Sequence, residues 1–76
     1  GELPEAIAAR RETVKLAEGF ASPALAAVQR SALLTLLGEA GLVAEERELA
    51  AALLADAERI GMADVVRKCR EILARP

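Results

Sequence analysis

A single thiol and a short run of carboxylates are the groups in this sequence best suited to do more than pack. Cys69 would act as a nucleophile only as its thiolate, and a thiol needs a neighbouring base, most often histidine, to take its proton. The chain has no histidine. Cys69 also falls on the apolar side of its segment, so it is expected to pack as a small buried hydrophobe. The carboxylate candidates are Glu45, Glu46 and Glu48. Acid–base work or hard-cation binding asks for carboxylates in a sheltered pocket with their pKa values pushed apart. At a helix start these three are expected to point into water instead, where they suit the positive end of the helix dipole. With one cysteine and no histidine, neither an intrachain disulfide nor a zinc site of the usual kind can be assembled. Thr13, Gln29, Ser31 and Thr35, with Arg10 and Arg30 near the apolar stripes, read as boundary residues rather than as donors converging on a ligand. No catalytic residue, metal ligand or cofactor is assigned.

The elements that must position these groups are helices. Leu3-Pro4-Glu5 places a proline near a first helical position, where its missing N–H does no harm. Leu3, Ile7, Val14, Ala17 and Phe20 then recur at helical spacing, with the stop near Gly19. Ser22-Pro23 is the clearest start signal, a capping hydroxyl followed by proline. The helix it opens carries Leu25, Val28, Ala32, Leu33, Leu34, Leu36 and Leu37 and is apolar nearly all round, which marks it as the central one. Gly38 and Gly41 bracket its end, and one of them is expected in the left-handed conformation. The third helix has no Ser, Thr, Asp or Asn cap; its stripe of Leu49, Leu53, Ala57 and Ile60, widened by Ala50 and Leu54, runs to Gly61. Met62, Val65, Val66, Cys69, Ile72 and Leu73 give the fourth the cleanest period in the chain. The prediction is an all-α fold: one domain over 1–76, a compact bundle of about four short helices at roughly 4–18, 23–38, 44–60 and 62–75, with helix two central. Gly19, Gly41 and Gly61 invite a repeat, but segments 22–41 and 42–61 agree mainly at common residue types, so no sequence repeat is read.

Composition limits the partners. Hydrophobic residues make up 54% of the chain, many of them alanine, and Phe20 is the only aromatic. A core of this size supplies only about 3–5 kcal/mol, so stability must come from close helix packing. The formal charge is −2 with both signs interspersed, which disfavours nucleic acid and anionic membrane as partners. No run approaches the roughly 18 apolar residues of a membrane span, and no charged-then-apolar leader is seen, so a cytoplasmic location is the default expectation. No partner is required. A protein or peptide partner, or self-association, stays open through an exposed apolar surface around Leu16, Phe20 and Val43. Arg67, Lys68 and Arg70 are the residues able to reach phosphates if the fourth helix were to meet nucleic acid.

Three resemblances can be drawn from the sequence. Ala57-Glu58-Arg59-Ile60-Gly61, continued through Val65-Val66-Arg67-Lys68, resembles the DNA-binding helix-turn-helix, with a small residue four before the turn glycine. Arg67 stands where that motif has an apolar residue, and the match breaks there. Residues 54–74 also bear a partial likeness to tetratricopeptide-type hairpins, without that repeat's aromatic positions. The agreement of proline openings, glycine stops, alanine-filled helices and mixed-charge surface resembles a computationally designed small helical bundle. That resemblance implies a monomeric scaffold whose property is its fold; a helical interaction module is the alternative, and weak nucleic-acid binding the third.

Overall fold

The computed structural model describes residues 1–76 as four helices with no strand: α1 Glu2–Glu18, α2 Pro23–Glu39, α3 Val43–Ile60 and α4 Ala63–Ala74. Each boundary has a local cause. Ser22 is extended, with φ −134° and ψ 96°, and its Oγ accepts from the Leu25 N–H at 3.2 Å, so α2 starts on a side-chain cap with proline behind it. Gly41 and Gly61 take φ of +72° and +86°, where an L side chain is strained. The amide after each glycine reaches back five residues, Leu42 to the Leu37 carbonyl at 3.0 Å and Met62 to the Ala57 carbonyl at 2.9 Å. This wrapped ending satisfies carbonyls that the helix leaves unpaired. Leu42 and Met62 then take nearly the same dihedrals, φ −83° and ψ 68° against φ −90° and ψ 82°. The α2–α3 and α3–α4 turns are therefore one turn used twice at a separation of twenty residues, although the sequences around them are not a repeat. Neither α3 nor α4 has a side-chain cap. Gly19, by contrast, stays right-handed at φ −77°.

Two apolar clusters hold the helices together. Ala27 and Leu34 of α2 join Ala50, Leu53 and Ala57 of α3 and Val65, Cys69 and Ile72 of α4. Ile7 of α1 packs with Leu33 and Leu37 of α2, flanked by Leu3, Val14 and, from α3, Leu49. The α2 helix supplies both clusters and touches every other helix, which makes it the central element. The bundle is flattened all the same: α1 lies against α2 and α4 mainly against α3, giving extents of 35 × 33 × 16 Å. Alanines at the crossings, Ala27, Ala50 and Ala57, are fully buried; their small side chains let the axes come close. In so thin a layer, a helix that is apolar all round cannot be covered all round. No helix is long and apolar enough to cross a membrane.

Candidate functional site

Two regions hold the residues with something to offer. The first is a polar junction where α2, α3 and α4 meet. Ser31 and Thr35 sit one turn apart on α2, and the Lys68 ammonium donates to the Ser31 carbonyl at 2.7 Å, the Ser31 hydroxyl at 3.2 Å and the Thr35 hydroxyl at 2.6 Å. All three of its donors are engaged, in keeping with a desolvated lysine that must replace its water. Burial pushes the Lys68 pKa below 10.5, partly offset by the Cys69 thiol and the Glu46 carboxylate. Burial likewise pushes the Cys69 thiol above 9.0, partly offset by Lys68. Cys69 is fully buried and belongs to the larger apolar cluster.

Glu46 departs from expectation. Of the three glutamates expected to face water, Glu46 is only 5% exposed. Its carboxylate lies against Gly38, so close that a Cβ there would sit 2.8 Å from Oε2. The Arg75 guanidinium donates to both of its oxygens, at 3.3 and 3.2 Å. The bare Gly38 backbone is what opens room for a carboxylate in this crossing. Next to it, Arg47 donates to the Ile72, Leu73 and Arg75 carbonyls at 3.3, 3.2 and 3.2 Å, capping the end of α4 from α3. An open groove of about 370 Å³ lies over this junction. Its charged groups are matched to one another, and no buried side-chain polar atom lacks a partner. No group of three or more histidine, cysteine, aspartate or glutamate side chains converges.

The second region is the outer face of the α1–α2 hairpin. Leu16 is 68% exposed, Val28 50% and Leu25 39%. The Arg10 guanidinium donates to the Gln29 side-chain oxygen at 2.6 Å, which sets the register of the two antiparallel helices. Ala6, Ala9, Arg10 and Thr13 line one groove with Leu36 of α2. Leu16 continues the Thr13 stripe by three residues. Leu25 lies four from Gln29 and eleven from Leu36, about three full turns, so it shares their side of α2. Leu16, Leu25 and Val28 thus crowd the turn end of one surface.

The candidate surface residues do not form a single patch. Leu16 lies on this face. Phe20, 66% exposed, sits past the end of α1 and lines a different groove with Pro23, Ala26, Arg30 and Ile60. Val43 is 60% exposed but lies at the opposite end of the layer, next to Leu42 at the start of α3. Arg67 and Arg70 are exposed and paired, with Asp64 at 2.6 Å and Glu58 at 3.1 Å, whereas Lys68 turns inward to Ser31 and Thr35. Sequence reasoning passed over Leu25 and Val28 because α2 was read as the covered centre. The missed signal is the 4-3-4-3 spacing of Ala21, Leu25, Val28, Ala32 and Thr35. No family model, no curated protein and no solved structure matches the chain.

Proposed function

We propose that the chain is a non-catalytic helical module that binds a protein partner through the outer face of its first hairpin. The observation that carries this reading is the trio Leu16, Leu25 and Val28, three large aliphatic side chains left uncovered on one side of α1 and α2. A scaffold whose only property is its fold, designed or natural, is best served by a surface without such a patch, because exposed apolar area promotes association. The polar groups favour no chemistry of their own. Lys68 is occupied by three acceptors and Glu46 by Arg75, so neither is poised as a free acid or base. The nucleic-acid reading gains little, since Arg67 and Arg70 already face Asp64 and Glu58, and Lys68 faces inward.

Apolar stripes at 3-4 spacing on paired helices suit an amphipathic helix as the docked element. The test is selection from a displayed library of helical peptides, run in parallel on the chain and on its Leu16→Glu/Val28→Glu variant. Peptides with apolar residues at helical spacing should be enriched on the former and not on the latter. Equal enrichment on both, or none on either, overturns the reading and leaves the monomeric scaffold.

A further inference from the structure

We draw no further inference here: the strongest candidate, the uncovered aliphatic face of the α1–α2 hairpin around Leu16, Leu25 and Val28, is the surface already described, and nothing in the structure shows what covers it.

Discussion

Replacing Gly38 with alanine sets two effects of similar size against each other, and their balance tests whether Glu46 is packed as described. Gly38 lies in the last turn of α2, one residue before its end, where alanine is favoured over glycine by at most about 1 kcal/mol. The new Cβ would sit 2.8 Å from Glu46 Oε2 and 3.5 Å from its Cδ, so the carboxylate must retreat to at least the 3.4 Å of ordinary contact. Glutamate is flexible, but this one is buried and held by Arg75 through both oxygens. Leaving a buried charged group short of its partner costs about 1–3 kcal/mol. Gly38→Ala alone should therefore leave stability unchanged or lower it by up to about 2 kcal/mol. In a Glu46→Ala background the clash is gone, and the same substitution should stabilise by at most about 1 kcal/mol. The coupling is thus about 1–3 kcal/mol, large enough for a double-mutant cycle. Urea unfolding followed by helical ellipticity reads it, since a chain of this size has a slope of roughly 1 kcal/mol per M and the midpoints separate by about 1 M. A Glu46→Gln background should keep most of the clash, because the side chain has the same shape. Equal stabilisation by Gly38→Ala in all three backgrounds would refute this packing.

Other substitutions probe the helix ends and the buried titrating pair. Ser22→Ala removes the one side-chain cap and should cost about 1 kcal/mol, a drop in Tm of roughly 4–8 °C, while Ser22→Gly should cost only a few tenths. Arg47→Ala frees three carbonyls at the end of α4 and should cost about 1–2 kcal/mol, with faster amide exchange confined to the last turn of α4. Uniform acceleration along α4 would mean that the cap is not local. Lys68 is lowered from 10.5 by burial, so between its folded value and 10.5 the unfolded chain binds more protons and stability rises with pH. Cys69 is raised from 9.0, so its contribution is present below 9.0 and is lost as pH climbs through the folded value. The two slopes oppose each other. Cys69→Ala should leave only the rise, seen as an unfolding midpoint that increases relative to the parent chain as pH climbs toward 10.5.

The legible parts of the fold are those whose causes lie within a few residues. Ser22-Pro23 and Gly61 mark helix ends by caps and backbone freedom, and the structure puts α2 at Pro23–Glu39 and the α3 stop at Ile60. The period of Val65, Cys69 and Ile72 identified the inner side of α4 for the same reason. Glu46 was illegible because nothing in its own segment distinguishes it from Glu45 or Glu48. Its burial depends on Gly38 of another helix and on Arg75 of a third. Lys68 was read as a surface cation with Arg67 and Arg70, and only the approach of Ser31 and Thr35 turns it inward.

By itself the sequence determined that the chain is helical, where α2 starts and α3 stops, which side of α4 is apolar, and that no histidine stands by to activate Cys69. Those properties follow from side-chain chemistry and from periods of three and four along one chain. Which apolar side chains are covered was a matter for the tertiary structure. Because α1 lies on α2 and α4 on α3, the layer is thin in one direction, and a largely apolar α2 keeps one side open. Leu25 and Val28 are aliphatic like Leu33 and Leu34 of the same helix, yet the former face outward and the latter are buried. Burial is a relation between elements, so neighbours distant in sequence decide it.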